Sequence, residues 1–150
     1  TLYALGARKI ATTNVAPVGC VPLIITSLGF GSNQCIASVN QVVTNLNQKL
    51  LVTSKILNNT LPGLKLLILD IYTPFFDLAT RPANYGFSES RRGCCGAGLI
   101  ELSVLCNVNS VGTCSNASQY VFWDAVHPSQ EASRIMAIDL FEQGKSLIPA

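Results

Sequence analysis

A single histidine limits what this chain can do by side-chain acid–base chemistry. His127 lies in Asp124-Ala125-Val126-His127-Pro128, three residues after a carboxylate and directly before a proline. In a tight turn that spacing lets Asp124 reach one imidazole nitrogen while the other faces outward. Such a pair fixes the ring tautomer and leaves a base to take a proton from a nucleophile, as serine-type hydrolases require. The nucleophile itself is not legible, because neither Gly-Asp-Ser nor Gly-x-Ser-x-Gly occurs in the 150 residues. The plainer role for His127 is to cap a final helix; the acid at minus three and the following proline favour the chemical one. Asp70 reads as a strand-end carboxylate binding loop amides rather than as a catalytic acid. Trp123 and Tyr72 read as core or cleft wall rather than as a platform for substrate.

The elements around these residues follow from periodicity and punctuation. Leu2 to Gly6 reads as the last turn of a helix, stopped by Gly6. Residues 8–15 read as a strand, and Pro17, Gly19 and Pro22 force a loop after it. Residues 36–57 form an amphipathic helix: Ile36, Val39, Val43, Leu46, Leu50 and Leu57 recur at helical spacings. Asn40, Gln41, Asn45, Gln48 and Lys49 are left for solvent, and Asn58, Asn59, Pro62 and Gly63 end the helix. Residues 64–72 suit a buried strand. This strand–helix–strand order implies a right-handed crossover and a parallel sheet. Residues 74–79 suit a short helix, and residues 80–118 lack sustained periodicity and read as a long loop pinned by cysteines. Residues 120–123 are extended, and Pro128 fits the first turn of a helix running to Gln143, with Gly144 beyond it. Ala132, Ile135, Met136 and Leu140 give that helix its apolar face. Residues 14–17, 72–74 and 124–127 each follow an extended segment. They should gather on one side of the sheet, where open parallel sheets carry their reactive groups.

Composition excludes several functions. With 49% apolar and 12% charged residues the chain is suited to one folded domain over residues 1–150. A net charge of +2 is too small to imply nucleic acid as a partner, and Arg8-Lys9 and Arg91-Arg92 read as solvated doublets. No apolar run reaches the about 18 residues of a membrane span. The six cysteines point to disulfides rather than metal: there is no Cys-x-x-Cys pair, and the lone histidine is claimed by Asp124. Sequence proximity pairs Cys20 with Cys35, and pairs Cys94 and Cys95 each with one of Cys106 and Cys114, in either combination. Joining the adjacent Cys94 and Cys95 is disfavoured by strain. Two glycosylation sequons are present, Asn58-Asn59-Thr60 and Asn116-Ala117-Ser118.

Three groups of residues together carry a family resemblance. Tyr120-Val-Phe-Trp-Asp124-Ala-Val-His127-Pro128-Ser-Gln-Glu-Ala132 resembles the last block of the plant GDSL esterase/lipase family, within the SGNH hydrolase superfamily. Leu5-Gly-Ala-Arg8-Lys-Ile, with Thr13-Asn-Val-Ala-Pro17-Val-Gly19-Cys20-Val-Pro22, resembles its fourth block. Asp70-Ile-Tyr72-Thr-Pro74, Tyr85-Gly86-Phe87 and Gly93-Cys94-Cys95-Gly96 resemble the segment between. The resemblance implies a three-layer α/β/α, flavodoxin-like fold with parallel strands, of which this chain is the C-terminal portion without the N-terminal strands. It implies hydrolysis of carboxylic esters or acyl lipids, His127 as base, Asp124 as its orienting acid, and no metal or organic cofactor. The family's Gly-Asp-Ser-Leu block, and the Gly and Asn that help form its oxyanion hole, cannot be placed here. The chain alone should therefore have little activity, and should be poorly stable with an exposed strand edge. Cysteines, sequons and resemblance together imply a secreted protein. The alternative is a catalytically inactive relative acting as a secreted binding module. Thr1 at the start, with no initiator Met or signal peptide, fits a fragment. Oligomeric state is not legible.

Overall fold

The computed structural model describes residues 1–107 and 109–148. The chain is α/β. Strand β1 (Lys9–Thr13) pairs parallel with β2 (Lys65–Leu69), placing Lys9 opposite Lys65 and Thr13 opposite Leu69. Two helices lie between them, α1 (Pro22–Leu28) and α2 (Ala37–Thr60). Helix α3 (Tyr72–Thr80) follows, then β3 (Glu89–Gly93), β4 (Tyr120–Phe122) and α4 (Gln130–Gly144). β3 and β4 also pair parallel, so the strands form two pairs rather than one continuous sheet. The expected N-terminal helical turn is a turn closed by Gly6, whose φ is 97°.

Helix α2 covers the expected span, but its buried face differs from the apolar pattern. Asn40, assigned to solvent by periodicity, is buried: its Oδ1 accepts the Gly19 amide at 2.8 Å and its Nδ2 lies 3.3 Å from Cys20 Sγ. Asn47 is buried too, bonding both the N–H and the C=O of Val15 at 2.8 Å. Leu46, assigned to the apolar stripe, is 46% exposed. The irregular chain after β1 has backbone groups that need partners away from water, and side-chain amides supply them. Hydrophobic periodicity does not register that need. The helix also runs past Asn58. That side chain pairs with the backbone of Leu66 in both directions, at 2.7 and 2.8 Å, and so ties the end of α2 to β2.

β2 is shorter than expected and half-buried rather than buried. Asn14 ends it: its Oδ1 accepts the amides of Ile71 and Tyr72 at 2.9 and 3.1 Å, turning the chain into α3 at Tyr72. From the other side, Gln143 of α4 bonds the backbone N–H and C=O of Asp70. β2 is thus clamped between α2 and α4, in the helix–strand–helix order of a layered α/β fold.

Residues 80–118 are not all loop. β3, Glu-Ser-Arg-Arg-Gly, has no strand-like composition, yet it pairs beside β4 with a register irregularity. Its buried Ser90 donates to the Ala79 carbonyl at 2.8 Å, replacing an apolar anchor with a satisfied hydroxyl. Arg91 is consequently half-buried rather than solvated, and burial pulls its guanidinium below the ordinary value, with Glu89 opposing. Arg92 is exposed and pairs with Glu89. The rest of the segment is pinned by Cys94–Cys114 and Cys95–Cys106, and Cys20–Cys35 closes the chain between β1 and α2. Each closed loop of about this size removes on the order of 3 kcal/mol of unfolded-state entropy.

Helix α4 starts later than the proline implied. Ser129 is its N-cap, accepting the Ala132 amide at 3.2 Å, while Pro128 forms a bridge with Phe122 outside the helix. Gly144 belongs to the helix rather than lying beyond it. Ala132 and Met136 point into the core, where Val21, Phe75, Leu78, Phe87, Val121 and Phe122 meet. Ala16 and Val126, from the first and last of the strand-end segments, and Ile71, directly before the middle one, border that same cluster. The three segments thus converge on one core although their strands form two pairs.

Candidate active site

The turn that carries Asp124 and His127 is built by main-chain bonds. Trp123 donates its amide to the His127 carbonyl at 2.9 Å, and Ser129 donates to Val121 at 2.8 Å, so the chain leaves β4 and returns beside it. Cys94 and Cys95 extend the β3 side, donating to Phe122 and Trp123 at 3.0 and 2.8 Å. α1 touches the turn through Leu23, whose amide bonds the Ala125 carbonyl at 2.9 Å.

Within the turn the Asp124 side chain is 2% exposed and that of His127 is 61% exposed. Asp124 Oδ1 accepts the amides of Val126 at 2.8 Å and His127 at 2.6 Å. Oδ2 lies 2.7 Å from His127 Nδ1 and accepts the Ser103 amide at 3.2 Å. Burial pushes the Asp124 carboxyl up, but the hydrogen bonds from the His127 amide and ring, Val126 and Ser103 outweigh it and hold it below the ordinary aspartate value. An ionised carboxylate can only accept, so the proton on the neutral ring sits on Nδ1 and the lone pair is on Nε2. A buried acid fixing an exposed imidazole in that tautomer presents a base to whatever lies beyond it.

Residues that sequence reasoning did not single out complete the support. Ser103, at a left-handed φ of 46°, turns its amide onto Asp124. Its loop is shaped by Glu101, whose carboxylate accepts the amides of Ala97, Leu99 and Ile100 and whose carbonyl accepts Ala125. Gly93 lets β3 approach the turn: a Cβ there would lie 2.5 to 2.7 Å from the Asp124 backbone. The only sequence signal for this brace is Gly93-Cys94-Cys95-Gly96 itself. Nothing local marks Ser103 or Glu101.

Asp70 directly follows β2, and its side-chain bonds go to residues other than Asp124 and His127. Its Oδ1 accepts Asn14 Nδ2 at 2.8 Å and the Thr73 amide at 3.2 Å, a loop-binding carboxylate. Burial raises it, yet bonds from Thr73, Asn14 and Tyr72 bring it below the ordinary value. Asp70, Asn14, Tyr72 and Thr73 line a cavity of about 300 Å³ whose lining does not include the Asp124–His127 pair. Tyr72 stacks on Phe76, with ring centroids 5.9 Å apart, and Trp123 is half-buried beside the turn. Among the described residues no cluster of three or more metal-ligating side chains occurs, and no helix is long and apolar enough to cross a membrane.

Comparison with known proteins agrees over nearly the whole chain. The family model described as GDSL-like Lipase/Acylhydrolase matches residues 1–140. GDSL esterase/lipase At5g03810 of Arabidopsis thaliana is 53% identical over 148 residues, covering 98% of this chain and 42% of the relative. GDSL esterase/lipase APG of the same plant is 47% identical over 148 residues, with the same coverage of 98% and 42%. GDSL esterase/lipase EXL3, also from Arabidopsis thaliana, is 40% identical over 135 residues, or 90% of this chain and 37% of the relative. The chain spans about two fifths of the length of the curated relatives it matches. It belongs to the plant branch of the GDSL-like lipase/acylhydrolase family.

Proposed function

We propose that residues 1–150 are the C-terminal portion of a single secreted GDSL hydrolase domain that cleaves carboxylic esters. In this reading the chain supplies Asp124 and His127, and the serine nucleophile comes from a Gly-Asp-Ser block outside it. The observation that carries the proposal is the 2.7 Å contact between the buried Asp124 Oδ2 and Nδ1 of the exposed His127 ring.

The chemistry follows from that geometry. His127 Nε2 takes the proton of a serine hydroxyl as its oxygen attacks the ester carbonyl, and backbone or side-chain donors hold the oxyanion. Asp124 stabilises the imidazolium that forms. His127 then gives the proton to the leaving alcohol, and water repeats the sequence on the acyl-enzyme. The relatives are named esterase/lipase, which supports esters and acyl lipids as the substrate class. Three disulfides and two sequons support passage through an oxidising secretory compartment. β1, exposed along most of its length, supports a missing neighbour on its open edge.

The test is to express residues 1–150 alone and beside a segment carrying the Gly-Asp-Ser block of a relative, and to measure aryl-ester turnover. Loss of the nucleophile costs about 10⁶ in kcat in a well-studied serine protease. The chain alone should be inactive and the pair active. Turnover by residues 1–150 alone would overturn the division of labour and send the search for a nucleophile to this chain's own serines.

A further inference from the structure

The two sequons are equivalent as motifs, but they are folded in opposite ways. In Asn58-Asn59-Thr60 the acceptor atom is in use. Asn58 Nδ2 donates to the Leu66 carbonyl at 2.8 Å while its Oδ1 accepts the Leu66 amide at 2.7 Å, and the residue is half-buried inside α2. The hydroxyl two residues on is turned away from it, since Thr60 Oγ1 donates to the Ile56 carbonyl at 2.9 Å. A sugar on Nδ2 would break the clip that joins α2 to β2.

In Asn116-Ala117-Ser118 the side-chain oxygen of the acceptor residue is the bonded atom instead. Asn116 Oδ1 accepts the Ser118 hydroxyl at 2.7 Å and the Ser118 amide at 3.1 Å, and the residue is exposed. The acceptor and the hydroxyl of the sequon are therefore adjacent in a surface turn, and substitution on Nδ2 breaks neither bond. The turn leads into the start of β4, whereas Asp124 and His127 follow its other end. A glycan at Asn116 therefore attaches at the opposite end of that strand from His127.

We propose that Asn116 is an N-glycosylation site of this protein and that Asn58 is not one. The proposal rests on the secretory-pathway reading above, which supplies the co-reactant, an oligosaccharide carried on a polyprenyl diphosphate. A bond forms between Asn116 Nδ2 and the anomeric carbon. The bond from that carbon to the diphosphate oxygen breaks, and the diphosphate leaves with the electron pair. Nδ2 gives up one proton.

The test is expression of residues 1–150 behind a secretory leader in yeast. Glycosidase-sensitive gel shift and peptide mass mapping are read on retained and secreted protein alike. Ser118→Ala removes one sequon and the hydroxyl bond to Asn116 Oδ1 but keeps Asn116 and its Nδ2, and Thr60→Ala removes the other without touching the Asn58 clip. The wild type and Thr60→Ala should carry a single glycan, mapped to Asn116, and Ser118→Ala should carry none. Unmodified Asn116 in chains whose disulfides have formed would overturn the site and leave the secretory reading standing. Unmodified Asn116 in chains whose cysteines stay reduced would overturn both. A glycan mapped to Asn58 in oxidised, soluble protein would overturn the discrimination between the two.

Discussion

Asp124→Asn preserves the shape of the buried side chain and removes its charge, so its cost can be worked from four contacts. Oδ1 takes two amides at 2.8 and 2.6 Å, and Oδ2 takes His127 Nδ1 at 2.7 Å and the Ser103 amide at 3.2 Å. An asparagine oxygen can keep the first pair. Its NH₂ group must then face the second pair, both of which are donors. The imidazole can answer by moving its proton to Nε2, so that Nδ1 accepts; the Ser103 amide cannot. Stranding one buried amide costs about 1–3 kcal/mol, and turning charge-assisted bonds into neutral ones costs about 1 kcal/mol for each pair. The variant should therefore lose about 3 kcal/mol in urea denaturation. It should also exchange the donor and acceptor nitrogens of the ring, as read by ¹⁵N spectroscopy at a pH where the imidazole is neutral. The chain has one histidine, so the ring signals need no assignment. A loss below about 1 kcal/mol with the ring tautomer unchanged would show that the Asp124 carboxylate neither holds the turn nor sets the tautomer.

Burial raises Asp124, Asp70 and Glu101, but their hydrogen bonds prevail and all three are held below ordinary carboxyl values. Their stabilisation is therefore complete above the unfolded values near about pH 4 and is lost as pH falls through the folded ones. A urea series against pH should be level near neutrality and decline only below about pH 4; a decline beginning near pH 6 would contradict this. Asn14→Ala deletes the three bonds that join Asp70, Ile71 and Tyr72. It should cost about 2–3 kcal/mol by the same denaturation assay, and a change under about 0.5 kcal/mol would count against the clip. Gly93→Ala drives a methyl into the Asp124 backbone and should cost about 1–3 kcal/mol while shifting the His127 ring resonances. Unshifted resonances would show that β3 does not brace the turn.

What the sequence made legible was local. Asp124 and His127 are three residues apart, and a turn short enough to join them leaves little freedom in their approach. α2 and α4 were visible because periodicity over many residues accumulates. Proximity placed Cys20 with Cys35, and chose for the rest a set that contains the observed Cys94–Cys114 and Cys95–Cys106. What was hidden depends on partners distant in the chain. β3 is a polar segment that becomes a strand because β4, some thirty residues later, offers a ladder. Asn40, Asn47 and Asn58 look like solvent-facing residues until the backbone they satisfy is known. Ser103 donates an amide, and any non-proline residue carries one, so its part in holding Asp124 has no signature in residue type.

As the proposed base of an ester hydrolase whose nucleophile lies in another segment, His127 should be indispensable to turnover. The direct test compares wild type with His127→Ala in the two-segment assembly on a chromogenic aryl ester, with and without added imidazole. In residues 1–150 the ring is 61% exposed, and imidazole is the fragment that His127→Ala removes, so added imidazole can stand in for it. Turnover should fall by a factor on the order of 10⁴–10⁶ and recover partly with imidazole. A His127→Ala assembly that hydrolyses the ester at the wild-type rate would contradict the account.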